Sequence, residues 1–218
     1  MLRDALRAIE SAPKLDRPAS TVGQVAERAG AGRLGAVLRG DWLGHALHPL
    51  LTDFPLGCWL SSGLLDLSGA KAFRPASRRL VGLGLVFTLP TVAAGMADYG
   101  EIDDTRSRRV ATVHAIGNAT VGLAYLMSWN ARRRGHHWRG VVWGLAGGSG
   151  AWATGYLGGH LSFARRVGTG ERGMDLETPG ASAMDDSDRR AEEQALIASG
   201  ARPVIVDGES AVEGPNSA

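Results

Sequence analysis

A single cysteine, Cys58, rules out an internal disulfide and any iron–sulfur cluster held by this chain's own thiolates. Charge of one sign is also missing: 24 Lys and Arg against 22 Asp and Glu leave +2, and the arginines fall in short clusters beside apolar segments. No basic face exists to bind nucleic acid, which we exclude as a partner. The N-terminus lacks a short apolar stretch with a cleavage site, so a removed signal peptide is not expected and the first spanning helix must direct insertion. No nucleophile–base pair, phosphate loop or nucleotide fingerprint is present, and we expect no independent catalytic activity.

What the chain has is an apolar middle between polar ends. Overall composition looks soluble at 44% hydrophobic because residues 1–42 and 165–218 dilute the rest. Many of the 31 glycines lie in the middle, where small residues let membrane helices approach closely. A span needs about 20 mostly apolar residues to cross about 30 Å of hydrocarbon. Four segments qualify: Leu50 to Ala70, Leu80 to Ala97 with Pro90 expected to kink it, Val110 to Trp129, and Gly140 to Leu161. Trp42, Trp59, Tyr99, Trp129, Trp138, Trp143 and Tyr156 lie mostly near segment ends, as suits the membrane interface.

The expected fold is therefore all-α, a four-helix transmembrane bundle at 43–164 with polar tails. In the N-terminal segment, 1–42, Leu2 to Ile9 and Val22 to Leu38 read as helical patches. The second is either an amphipathic helix on the membrane surface or a cap over the bundle. The C-terminal tail, 165–218, has too few large apolar residues for a core and reads as flexible, with a surface helix expected at Asp185 to Ala198. Lys and Arg counts on the two sides nearly tie. We place the short basic loops, Lys71 to Arg79 and Ala131 to Arg139, in the cytoplasm.

Ionisable residues at membrane depth are costly and face a protein interior, a cavity or a ligand. His48 and Asp53 open the first span, Asp98 closes the second, His114 opens the third and His160 closes the fourth. Alternating helix direction should bring all five to one level, with His45 just outside and Asn118 one turn after His114 on the same face. At the other level, Asp66 is expected to pair with an arginine of the 131–139 loop, and His136 and His137 to touch lipid headgroups.

Two chemistries fit these residues. Imidazoles on facing helices can hold haem iron axially, with His48, His114 and His160 as ligands and Asn118 as support. Alternatively, His45, His48, Asp53, Asp98, His114 and His160 supply the ligands of a divalent metal such as zinc. Haem needs two histidines across a gap; zinc needs three or four ligands at one point.

The motifs HPLLTDFPLGCW (His48 to Trp59), LLDLSG (Leu64 to Gly69), G-x-x-D (Gly95 to Asp98), His114 with Asn118, and GGHL (Gly158 to Leu161) resemble the bacterial membrane proteins grouped as domain of unknown function 2231. The resemblance spans about Gly44 to Leu161 and implies the four-helix fold. In a similar actinobacterial subgroup the unit is often joined to a Rieske domain, whose cysteines and histidines this tail lacks. The subgroup reads GHPLHP where this chain reads GHALHP at Gly44 to Pro49.

The leading expectation is an uncharacterised multi-pass protein of the bacterial inner membrane with a redox-linked role. It would bind haem b and pass electrons to or from a partner protein, with the lipid bilayer and a second copy as further partners. The alternatives are a metal-binding or purely structural subunit, and, less favoured, a proton-coupled transporter.

Overall fold

The computed structural model describes residues 2–168 and, beyond them, the backbone of two short strands. The chain divides into two units, Met1–Met174 and Asp175–Ala218. In the second, β1 (Pro203–Val206) and β2 (Glu209–Val212) pair antiparallel, Pro203 opposite Val212. The surface helix expected at 185–198 lies outside the described residues.

Residues 2–168 of the first unit hold only helices and turns: α1 (Leu2–Glu10), α2 (Asp16–Ala29), α3 (Gly32–Arg39), α4 (Leu47–Leu67), α5 (Arg74–Gly100), α6 (Thr105–Arg133) and α7 (His137–Gly159). A π-helical turn, His160–Ala164, follows α7. The four long helices coincide with the four apolar segments: α5 and α6 extend beyond them at both ends, whereas α4 and α7 begin three residues earlier and end two or three residues short. Their ends follow local chemistry. Asp104 caps α6 by accepting from the backbone N–H groups of Arg106 and Ser107 at 3.3 and 2.9 Å. Gly69 and Gly135, both at positive φ, end the helical hairpins α4–α5 and α6–α7 in a backbone conformation other residues adopt only with strain. α5 continues unbroken through Pro90.

The helices form a ring in which α4 packs on α5, α5 on α6, α6 on α7 and α7 back on α4. Small hydroxyl side chains share its interior with apolar ones, and many large apolar side chains face outward. Ser77, Thr112 and Ser128 are fully buried, whereas Leu60, Leu89, Leu123 and Trp152 are 67%, 72%, 62% and 86% exposed. Two helices, Lys71–Gly100 and Thr105–Arg133, are long and apolar enough by composition to cross a membrane. Asp53, Pro55 and Asp66 lower the apolarity of α4, and glycines that of α7.

The N-terminal segment is a cap. Leu6 of α1 and Ala26 of α2 share a buried cluster with Tyr99, Ile102, Val110, Ala111 and Leu161 at one end of the ring. The Tyr99 hydroxyl donates to the Ala19 carbonyl at 3.1 Å. The Arg109 guanidinium reaches both Asp16 carboxylate oxygens at 2.7 and 3.0 Å and the Glu10 carbonyl at 2.8 Å. The patch read from Val22 to Leu38 is two helices, α2 and α3, broken at Gly30 to Gly32.

Candidate functional site

His48 and His114 face each other across the ring from α4 and α6, ring centres 6.4 Å apart and planes at 86°. Each ring is pinned in the same way. His48 Nδ1 donates to the Thr91 carbonyl at 2.8 Å, and His114 Nδ1 to the Thr154 carbonyl at 2.9 Å. A carbonyl only accepts, so Nδ1 carries the proton in both rings, and the Nε2 of a neutral imidazole is left with a lone pair. His114 Nε2 accepts from the Asn118 amide at 2.9 Å. Gly95 and Gly158 make room for the two rings: a Cβ on either would lie under 3.0 Å from the imidazole it faces.

This likeness is part of a repeat. His48, Trp59, Ser62 and Asp66 of α4 recur 66 positions later as His114, Tyr125, Ser128 and Arg132 of α6. Ser77, Gly84, Thr91 and Gly95 of α5 recur 63 positions later as Gly140, Gly147, Thr154 and Gly158 of α7. The contacts recur with them. Trp59 lies over Gly84 and Tyr125 over Gly147. Ser62 donates to the Ser77 carbonyl at 3.2 Å, and Ser128 to the Gly140 carbonyl at 2.6 Å. Moreover, His48 meets His114, Trp59 stacks on Tyr125 at 3.9 Å, and Asp66 pairs with Arg132. Residues that touch their own equivalents lie on a twofold axis. The axis here is internal, relating hairpin α4–α5 to hairpin α6–α7.

The far end of the axis carries a buried ion pair. Arg132 donates to both Asp66 carboxylate oxygens at 3.0 and 2.6 Å, to Ser77 Oγ at 2.7 Å and to Ser128 Oγ at 3.1 Å. Both side chains are less than a tenth exposed. This is the pairing expected of Asp66 with the second basic loop, made from the last turn of α6. His137, expected at headgroups, instead turns inward, its Nε2 3.7 Å from Asp66. His136 is exposed.

The expected convergence of five residues is only partly met. His48, His114 and Asn118 come together. His160 is engaged elsewhere: it lies in the π turn beyond α7, and its Nε2 donates to Glu10 Oε1 at 3.0 Å, as does Arg165 at 2.5 Å. Asp53 is exposed, because five residues at about 100° each carry it about 140° around the helix from His48. His45 is exposed in the turn after Gly44, its Nδ1 donating to the Ala46 carbonyl at 3.2 Å. Asp98 is buried beside a cavity of about 260 Å³ at the capped end, among Ile102, Asp104, Arg165 and Gly168. That cavity lies between the α5–α6 turn and residues 165–168 and is not part of the histidine pair; Asp104 there caps α6 and lies 3.9 Å from Arg165. Among the described residues no three His, Cys, Asp or Glu side chains gather to hold a metal ion.

Sequence reasoning missed the repeat and the Glu10 contact. The repeat has a legible signal in the shared spacing Gly84, Thr91, Gly95 and Gly147, Thr154, Gly158. The Glu10 contact has none, since it joins residues 150 apart.

Residues 44–171 match a family described as predicted membrane protein (DUF2231). No curated protein and no solved structure matches the chain.

Proposed function

The chain belongs to this family of predicted membrane proteins, and from that premise we propose that it is a multi-pass protein of the bacterial inner membrane. All four of α4 to α7 span, and His48 with His114 binds a b-type haem in a redox-linked role. Length supports four spans: α4, with 21 residues, is about 31 Å long at about 1.5 Å per residue, and the other three are longer. The outward apolar side chains occur on all four helices and match a hydrocarbon surround.

The observation that carries the ligand assignment is the pair of facing imidazoles, each oriented by an Nδ1–H donated to a backbone carbonyl. An Nδ1–H donated to a backbone carbonyl is the usual support of a metal-ligating histidine, because it fixes the tautomer and strengthens Nε2 as a ligand. Metal–nitrogen bonds of about 2.0–2.1 Å on both sides of one ion put two ring centres about 6 Å apart, close to the 6.4 Å between these rings. Two ligands suffice for axial haem, whereas zinc takes three or four. His160 is not needed, and Asn118 must turn aside from His114. Bound haem supplies one-electron chemistry; the chain's own residues orient the two ligands, and its partner approaches from the capped side.

The test is the spectrum of full-length protein purified in detergent after expression with haem supply. We expect a Soret band that His48→Ala or His114→Ala abolishes or shifts and His160→Ala leaves in place. Colourless protein that takes up no haem, or a band lost only with His160, overturns the assignment. A structural bundle with the histidines as interhelical contacts is then the reading left, and stoichiometric zinc would favour the metal-binding one.

A further inference from the structure

We infer that α3 is an interfacial helix: Leu34, Val37 and Trp42 enter the boundary between lipid headgroups and acyl chains, and the Arg33 guanidinium meets headgroup phosphate. The inference rests on the reading of α4 to α7 as spans and extends membrane contact to a segment that does not span.

The depth of α3 follows from where it is held. Gly30, just before its first turn, lies against the Ala97 carbonyl in the last turn of α5, and Gly40, at its end, lies against the Leu47 nitrogen that begins α4. A Cβ on these two glycines would stand 3.5 and 2.9 Å from those atoms. Eight residues at about 1.5 Å each reach about 12 Å, a little more than the roughly 8–10 Å between the axes of packed helices. The helix therefore bridges the end of α5 and the start of α4, at the level where spans of this length leave the hydrocarbon. So short a helix is marginal in water when isolated. Here it is pre-formed, because Arg39 Nη1 donates to the Gly30 carbonyl at 2.6 Å and ties the last turn back to the chain before the first.

The two faces of α3 differ. At about 100° per residue Arg33, Leu34 and Val37 share one face, opposite Gly35, which is buried against Gly30. Leu34 and Val37 are 68% and 52% exposed. Trp42, 66% exposed, is drawn beside them by donating its Nε1–H to the Val37 carbonyl at 3.3 Å. Adjacent large apolar side chains with an arginine at their edge match the membrane boundary, where tryptophan is enriched. The first turns of α4 that follow carry exposed Leu50 and Phe54. A specific protein interface takes about 20–30 residues a side, far more than this patch offers, whereas a bilayer around the spans lies against it by position.

The experiment uses full-length protein carrying Cys58→Ser, reconstituted into vesicles of phosphatidylcholine and phosphatidylglycerol and spin-labelled at one introduced cysteine at a time. The sites are Leu34→Cys, Val37→Cys, Thr21→Cys on the face of α2 opposite the buried Ala19, Gly23 and Ala26, and Leu60→Cys on the outer face of α4. Collisions with oxygen, which concentrates among acyl chains, are compared with collisions with a water-soluble nickel chelate. The oxygen-to-nickel ratio should be severalfold higher at 34 and 37 than at 21, and higher still at 60. Ratios at 34 and 37 equal to that at 21, with a high ratio at 60, overturn the inference and leave the spans standing. Labels at 34 and 37 shielded from both reagents would put a second copy of the chain or another protein on this face and overturn it too. A label at 60 that meets nickel as readily as one at 21 overturns the four-span reading and this inference with it.

Discussion

At the scale of single residues, the interior is governed by the cost of leaving a charge or a hydrogen-bonding group alone. Arg132 spends its donors on Asp66, Ser77 and Ser128, and Asp66 accepts from Arg132 and Ser77. Removing one partner of such a buried pair strands the other and costs about 3–5 kcal/mol. Asp66→Asn or Arg132→Met should therefore lower stability by about that amount, read as earlier unfolding in a denaturant series in detergent. An unchanged midpoint would mean that Arg132 finds water or lipid phosphate instead. This contact was legible in the sequence because a carboxylate near the end of a long apolar segment has to find a cation, and two short basic loops supply cations at that end of the bundle. His160 was not legible. Its position at the end of the fourth apolar segment said nothing about Glu10, which reaches it from α1 and accepts a hydrogen bond from its Nε2–H.

Between helices, the glycines decide how closely the hairpins close. Trp59 and Tyr125 stack at the centre because Gly84 and Gly147 give each ring a flat place to lie. A Cβ at 147 would stand 2.8 Å from the Tyr125 ring. Overpacking of this kind costs about 1–3 kcal/mol. Gly147→Ala should destabilise within that range and separate α6 from α7, whereas Gly155→Ala, where a Cβ meets nothing within 4 Å, should be neutral. The repeat also explains a matched difference at the ion pair. The long Arg132 lies against Gly140, where the shorter Asp66 faces the equivalent Ser77. Exchanging the charges alone would drive an arginine at 66 into Ser77. Exchanging all four positions, Asp66→Arg, Arg132→Asp, Ser77→Gly and Gly140→Ser together, should recover most of the stability that the two-residue exchange loses. A four-residue variant no more stable than the two-residue one would refute the equivalence of these positions.

For the whole first unit, the N-terminal cap is tied to the bundle by ion pairs that respond to acid. The Arg165 guanidinium, hydrogen-bonded to Glu10, holds that carboxyl below its ordinary 4.5 against the opposing effect of burial, with His160 adding in the same direction. Arg109 holds Asp16 below 3.8, and the Ser107 hydroxyl and N–H hold Asp104 below the same value. A carboxyl whose pKa is lower in the folded protein stabilises fully above its unfolded value and loses that contribution as pH falls through the folded one. The cap should therefore be tight at neutral pH and loosen as pH falls below 4.5. Hydrogen exchange in residues 2–29 should rise over that range, while exchange in the middle of α5 and α6 stays slow. Glu10→Gln should show the loosening already at neutral pH. Exchange in the cap that is insensitive to both acid and Glu10→Gln would assign its attachment to the apolar contacts of Leu6, Ala26 and Tyr99 alone.

The amino-acid sequence by itself determined the four long helices, their approximate limits and the place of each polar residue along its helix, because periodicity, length and helix-ending glycines are local properties. It also placed His114 and Asn118 on one face and required a partner for Asp66. Only the tertiary structure decided which histidines face each other. Position along a helix is set by counting residues, whereas the direction of a side chain around its helix depends on how that helix is rotated against its neighbours. That rotation left Asp53 outside and His48 inside, gave His160 to the cap, and set two hairpins of shared spacing about one axis.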